Sequence, residues 1–142
     1  MKHWPTTGAT DSLLYADASA LVKLVVDERE SPSLHSYVNA RKPEFATSAI
    51  AIVEVLRAVR VAGLGGAGAR RARAHLDEAD LVGVDRELLE AAVSWTSAQV
   101  RTVDAIHLAS ALRVGASEML VYDRRLAEAA AAAGLEVLSP GA

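Results

Sequence analysis

Four acidic residues lie where their carboxylates could act together. Asp17 directly follows the apolar run "LLYA" and Asp123 follows "MLVY", whereas Glu54 and Asp104 lie in the apolar segments "SAIAIVEVLRAVRVAG" and "RTVDAIHLASAL". Oxygen-only ligands of this kind suit hard divalent cations such as Mg²⁺ or Mn²⁺. Because such cations lower the pKa of an attacking water, carboxylate clusters typically serve phosphoryl transfer. The pattern therefore suggests metal-dependent chemistry on a phosphate ester.

Each aspartate also has a purely local explanation. Asp17 and Asp123 are each followed by a predicted helix, so both are candidate helix N-caps. Thr102 is a candidate N-cap for the helix after it, which would place Asp104 in the first turn, where negative charge is favourable. Taken one at a time, the aspartates do not separate capping from catalysis.

Glu54 has no such explanation from the sequence. We expect its helix to begin at Ser48, which places Glu54 about two turns inside it, too deep for a cap. Apolar residues surround Glu54 on nearly every face of this helix, a pattern that predicts burial. A buried carboxylate must be paired, protonated or bound to a cation. An ion pair with Arg57, three residues further on, is the alternative to a metal ligand.

Short apolar runs alternate with helical segments along the chain. The predicted strands cover residues 13–17, 44–48, 81–84, 119–122 and 135–140. The predicted helices cover residues 19–28, 31–42 (with Ser31 as N-cap), 48–63, roughly 67–79, 85–99, 101–112 and 124–134. This alternation favours an α/β fold, a three-layer α/β/α domain with a central, mostly parallel sheet. Ligands of such sheets bind outside the carboxyl ends of the strands, where Asp17 and Asp123 are expected.

Composition excludes several classes of protein. The 142-residue chain has the length of one domain and contains no cysteine, which rules out disulfide scaffolds, thiolate metal sites and cysteine catalysis. Residues 1–12 form a polar extension without the apolar core of a signal peptide, and we expect this extension to be flexible. No run of 18 apolar residues is present, so we expect no membrane span and a cytoplasmic protein.

Positive charge is concentrated in one window. The net charge of −3 gives no general electrostatic case for nucleic-acid binding. Between Glu54 and Asp77, however, there is no acidic residue and there are five arginines: Arg57, Arg60, Arg70, Arg71 and Arg73. The window is either a solvated helix face or an edge that contacts phosphates.

Four segments resemble successive motifs of a known family. These segments, "LLYADASALVKL", "ATSAIAIVEVLRA", "RTVDAIHLASAL" and "LVYDRRLAEAAAAAGLEVLSPG", are similar to motifs of the PIN-domain ribonucleases, specifically the VapC-type toxins of bacterial type II toxin–antitoxin pairs. The likeness runs from about Leu13 to Gly141 in the family's order. It implies a single PIN-like domain over residues 13–142 and RNA cleavage that depends on Mg²⁺ or Mn²⁺. It also implies a small VapB-like antitoxin and a homodimer.

The resemblance assigns roles to individual residues. The family's four acids match Asp17, Glu54, Asp104 and Asp123, which would bind the metal and carry catalysis. Asp17, Asp104 and Asp123 would hold the metal, and Glu54 would orient a water or assist proton transfer. Ser19 or Thr102 would supply hydrogen bonds around the site, and His107 receives no catalytic role and is expected to be a packed, hydrogen-bonded residue. Val121 departs from the family, which often has threonine at that position.

Two other functions remain open at this point. A phosphatase or receiver-type domain would use Asp17 as a phosphate acceptor, but such sites have a further acid nearby and position 19 is serine. A non-enzymatic α/β protein-binding module would use the acids only as helix caps.

Overall fold

A central parallel sheet organises the chain. The computed structural model describes residues 13–142, so the predicted flexible extension over residues 1–12 lies outside the described residues. Five strands pair in the order β3-β2-β1-β4-β5, and every neighbouring pair is parallel. The strands are β1 (Leu14–Ala16), β2 (Phe45–Ser48), β3 (Asp80–Val82), β4 (Glu118–Leu120) and β5 (Glu136–Leu138). The predicted parallel α/β sheet is confirmed.

Helices cover both faces of this sheet. They are α1 (Ala18–Val25), α2 (Ser31–Arg41), α3 (Ala51–Val61), α4 (Gly65–Glu78), α5 (Arg86–Val93), α6 (Thr102–Arg113) and α7 (Arg124–Ala132). Leu14 and Ala16 pack with α1 to α4, whereas Tyr15 between them packs with α6 and α7. Because side chains alternate along a strand, β1 thus contributes to hydrophobic clusters on both faces of the sheet. None of the helices within residues 13–142 is long and apolar enough to cross a membrane.

The strand order creates a crevice at the carboxyl end of β1. The chain first extends the sheet from β1 to β2 and β3, and then returns to add β4 on the other side of β1. Parallel α/β sheets bind ligands where the strand order reverses in this way. Asp17 lies at this point, and its backbone N–H donates to the carbonyl of Leu120 at 3.1 Å.

Three predicted helix caps are wrong. Ser48 completes β2, and Ala49 donates its N–H to Val82 of β3 at 2.9 Å, so α3 begins only at Ala51. Ser31 is the first residue of α2, and its hydroxyl donates to the carbonyl of Lys23 at 2.7 Å instead of capping the helix. Thr102 is likewise the first helical residue of α6, whose cap position is occupied by Arg101.

The helix predicted over residues 85–99 is shorter than expected. In the structure α5 ends at Val93, because the hydroxyls of Ser94 and Thr96 donate to the carbonyls of Ala91 and Val93. Side-chain hydroxyls that bond to nearby backbone groups compete with helix continuation in this way.

Candidate active site

Asp17 is a buried carboxylate at the centre of the crevice. It caps α1, since the N–H of Ala20 donates to its Oδ1 at 3.1 Å, and the hydroxyl of Ser19 donates to the same oxygen at 2.6 Å. Only 4% of Asp17 is exposed. Burial raises the pKa of Asp17 and the charge of Glu54 adds to the rise, although His107 and these hydrogen bonds oppose it. The ionised carboxylate is therefore destabilised where it lies.

Glu54 does not have the environment expected from the sequence. Because α3 begins at Ala51, Glu54 lies in the first turn of the helix and about a third of its side chain is exposed. The inference that Glu54 lies too deep to belong to a helix start is wrong. Its Oε1 is 2.6 Å from Nε2 of His107, so its partner is His107 and not Arg57.

Asp104 and Asp123 lie at the same end of the sheet. Asp104 is half-buried in the first turn of α6, and burial raises its pKa, with further increases from the charges of Asp123 and Glu54. Asp123 caps α7, and its Oδ1 accepts from the N–H of Leu126 at 2.9 Å. The charge of Glu54 thus acts on both Asp17 and Asp104, and the charge of Asp123 acts on Asp104, which links the four acids at this end of the sheet.

These acids form an open cluster. Within residues 13–142, no three side chains of the Asp, Glu or His type are arranged closely enough to hold a metal ion. The chemistry of the donors nevertheless fits a hard divalent cation, since the cluster consists of carboxylate oxygens. A cation would also relieve the unfavourable burial and mutual repulsion that raise the pKa values of Asp17 and Asp104.

Of the residues expected to surround the acids, some contact them in the structure and others do not. Ser19 bonds Asp17 directly, whereas Thr102 is exposed at the start of α6. Val121 is fully buried in the hydrophobic core, so the hydroxyl that the family often has at this position is replaced by apolar packing. His107 is packed and hydrogen-bonded, as expected.

Tyr15 is a further residue near these acids, and the sequence pattern does not predict its contact. Its hydroxyl is 2.7 Å from Nδ1 of His107, and the two rings meet edge to face. Burial raises the pKa of Tyr15 far above its ordinary range, so its hydroxyl stays protonated. The only sequence signal was a tyrosine inside an otherwise apolar strand, two residues before Asp17.

A basic groove lies between α3 and α4. It is an open groove of about 700 Å³, and its lining includes Arg57, Arg60 and Arg73 but no acidic residue. Arg57 and Arg60 follow Glu54 along α3, so one helix contributes to both the acidic cluster and the groove.

Comparison with known proteins assigns the family. The family model of the PIN domain matches residues 14–132. Ribonuclease VapC46 of Mycobacterium tuberculosis is 42% identical over 130 residues, which cover 89% of this chain and 97% of that relative. Ribonuclease VapC35 of the same species is 35% identical over 134 residues, which cover 91% of this chain and 98% of the relative.

Solved structures share the fold. The crystal structure of Mycobacterium tuberculosis VapC20, a toxin that cleaves the sarcin–ricin loop, superposes with a TM-score of 0.71 at 20% identity, covering 89% of this chain and 99% of that one. A toxin–antitoxin complex from Klebsiella pneumoniae gives a TM-score of 0.67 at 23% identity, with 91% and 98% covered. Since the family model spans most of the chain and the closely matching relatives are covered almost entirely, the chain belongs to the PIN-domain family, among the VapC ribonucleases.

Proposed function

We propose that this protein is a metal-dependent endoribonuclease and the toxin of a toxin–antitoxin pair. The observation that carries the proposal is Asp17, a carboxylate buried at the sheet's switch point with neighbouring acids but no basic side chain bonded to it within residues 13–142. A helix cap or a protein-binding module does not require a buried charge there. The names of the VapC relatives, all ribonucleases, agree with this function.

The acids provide a site for Mg²⁺ or Mn²⁺. Asp17, Asp104 and Asp123 would hold the cation, because their carboxylates are the oxygen ligands that both ions accept. When bound, such an ion lowers the pKa of water and offsets charge on the phosphate.

The remaining chemistry belongs to the chain's own groups. Ser19 and the N–H of Ala20 fix the orientation of Asp17. Glu54, whose Oε1 contacts His107, would orient the attacking water and accept its proton. The N-termini of α1 and α6 carry Asp17 and Asp104 and add positive potential toward a phosphate.

The basic groove supports RNA as the substrate. The side chains of Arg57, Arg60 and Arg73 form neither ion pairs nor hydrogen bonds with other residues of the described chain. Many acidic residues are exposed elsewhere on the surface of residues 13–142. Guanidinium groups without a carboxylate partner suit phosphate oxygens. We therefore place the backbone of the RNA strand along this groove, leading to Glu54 and the other acids.

The proposed partners follow from the family. A VapB-like antitoxin would bind the toxin and block its acids with a basic side chain, an arrangement that is electrostatically favourable. The fold neighbour from Klebsiella pneumoniae was solved as a toxin–antitoxin complex, which is consistent with such a partner. An enzyme that cuts cellular RNA would act in the cytoplasm.

We also propose a homodimer. Exposed valines outside the basic groove offer apolar surface to a second copy: Val61 on α3 and Val93 on α5. The mass in solution should be twice the chain mass of 14.9 kDa. A monomeric mass at micromolar concentration would contradict the dimer.

Cleavage of total cellular RNA with end-mapping tests the enzyme directly. Purified protein with Mn²⁺ or Mg²⁺ should cut RNA at defined positions, and a chelator should stop the reaction. Asp104→Asn should lose about 100-fold or more of the rate, as expected when a charge that binds a catalytic metal is removed. Equal cleavage by the wild type and Asp104→Asn would refute the proposed activity.

A further inference from the structure

A continuous chain of polar side chains runs from the core to the catalytic cluster. It begins at Tyr15 of β1, which is fully buried, passes through His107 of α6, which is 2% exposed, and ends at Glu54 of α3. The Tyr15 hydroxyl is 2.7 Å from Nδ1 of His107, and Nε2 of His107 is 2.6 Å from Oε1 of Glu54. Three elements that are distant in sequence therefore meet at one imidazole ring.

For a neutral imidazole next to a carboxylate, the two hydrogen bonds of His107 have one direction. An ionised Glu54 carboxylate only accepts, so Nε2 of His107 donates to it. In a neutral imidazole Nδ1 is then the acceptor, and the Tyr15 hydroxyl donates to that nitrogen. The edge-to-face contact between the rings, with centroids 5.9 Å apart, fixes the plane of the imidazole.

We propose that Tyr15 and His107 are positioning residues for Glu54. Together they hold Oε1 in one place, which leaves Oε2 free for water or substrate, since Oε2 forms no hydrogen bond within residues 13–142. The proposal rests on the function proposed above, because that function gives Glu54 its role in orienting water and accepting a proton.

Positioning matters because Glu54 is flexible by itself. A glutamate side chain with a third of its surface exposed has several accessible rotamers, and catalysis requires one of them. His107 lies three residues after Asp104, on the same side of α6. One helix therefore fixes the position of Glu54 through His107 and carries a second acid of the cluster itself.

Fixing the geometry of Glu54 also explains why two polar side chains, Tyr15 and His107, are buried in the core. A buried histidine and a buried tyrosine hydroxyl are unfavourable unless both are hydrogen-bonded. An apolar pair of similar size would fill the same core without that requirement. Here each ring nitrogen of His107 has a partner, and the partner of Nε2 is Glu54.

A double-mutant cycle separates positioning from folding. Tyr15→Phe removes only the hydroxyl, and His107→Leu removes both ring nitrogens, so kcat on an RNA substrate should fall by about 10- to 100-fold for His107→Leu and less for Tyr15→Phe, with KM little changed. His107→Gln, which keeps an N–H donor, should restore part of the rate. In a Glu54→Gln background, neither Tyr15→Phe nor His107→Leu should change the remaining rate by more than about twofold.

A spectroscopic measurement tests the geometry independently of activity. The ¹⁵N shifts of the His107 side chain should show the tautomer protonated at Nε2 in the wild type, and Glu54→Ala should reduce that preference. Equal losses of kcat in both backgrounds, or a His107 without a proton on Nε2, would overturn the positioning role. If the wild type cuts no RNA, the proposed function fails, while the nitrogen shifts still decide whether His107 donates to Glu54.

Discussion

Asp17 and Asp85 are two aspartates with the same local structure and opposite electrostatics. Both follow a strand at the carboxyl edge of the sheet and both cap the next helix. Asp17 Oδ1 accepts from the N–H of Ala20 at 3.1 Å, and Asp85 Oδ1 accepts from the N–H of Leu88 at 2.8 Å. Helix capping alone would therefore treat the two residues alike.

Their surroundings are different. Asp85 is exposed, and two nitrogens of Arg113 contact its oxygens at 3.0 and 3.1 Å, so Arg113 lowers the pKa of Asp85. Asp17 is buried, its added partner is the neutral hydroxyl of Ser19, and burial raises its pKa. A carboxylate in a position that destabilises its charge is a candidate functional group, whereas one with a basic partner is explained by structure alone.

The largest expected difference between Asp17 and Asp85 concerns the stabilisation of the protein by a divalent metal. Wild-type protein with Mg²⁺ or Mn²⁺ at 100 times the dissociation constant should gain about 2.7 kcal/mol of unfolding free energy. Asp17→Asn should lose most of that gain, and Asp85→Asn should keep it, because Asp85 is already paired with Arg113. Thermal melting with and without the metal measures the gain. Equal gains in both variants would contradict a metal site at Asp17.

In a chelating buffer, Asp17→Asn and Asp85→Asn should change the unfolding free energy relative to the wild type in opposite directions. The folded-state pKa of Asp17 is raised, so the folded chain binds more protons and loses stability as pH rises from about 4 toward neutral. The pKa of Asp85 is lowered, so its contribution is present above an ordinary value of 3.8 and is lost as pH falls below it.

Asp17→Asn keeps an N-capping residue and removes the buried charge. At neutral pH its melting temperature should therefore rise by about 2–4 °C, a shift that corresponds to roughly 1 kcal/mol in a chain of this size. Asp85→Asn should melt below the wild type at the same pH. Melting curves from pH 4 to 8 should show the gain of Asp17→Asn shrinking as the pH falls. A lower melting temperature for Asp17→Asn at neutral pH would mean that its charge is stabilising.

The smallest effect concerns two arginines with different surroundings. Arg113 has a carboxylate partner in Asp85, whereas Arg60 lines the basic groove. Arg60→Gln should raise KM for RNA and reduce the slope of log affinity against log salt by about 0.7, the value of one phosphate contact with a single strand. Arg113→Gln serves as the matched control and should leave the slope unchanged. If the two variants had the same slope, the groove would not be the path of the RNA.

The sequence predicted the architecture because the fold follows a local pattern. Apolar runs of four or five residues between helices indicate a parallel sheet, and the rule for such sheets places Asp17 and Asp123 at its carboxyl edge. The same local reasoning failed at Ser48, which looks like a helix cap but completes β2 through its pairing with Val82 of β3. That tertiary pairing moved the start of α3 and put Glu54 in its first turn.

The hydrogen-bonded chain from Tyr15 to Glu54 could not be predicted in this way. Tyr15 and His107 are 92 residues apart, and His107 and Glu54 are 53 residues apart. Such contacts arise only when β1, α3 and α6 pack together. The resemblance to PIN-domain ribonucleases assigns roles to the four acids but gives none to His107.

The most direct test compares RNA cleavage by Asp17→Asn and Asp85→Asn in the presence of Mg²⁺ or Mn²⁺. Both substitutions remove one negative charge from a helix cap at the same edge of the sheet, so the loss of a capping charge is matched between the two variants. We expect Asp17→Asn to lose about 100- to 1,000-fold in kcat/KM, since it removes a charge that acts on the reacting phosphate. Asp85→Asn should remain within about twofold of the wild type, the range of a surface substitution. Wild-type cleavage by Asp17→Asn, with the same RNA ends, would contradict the assignment of the buried acid as catalytic.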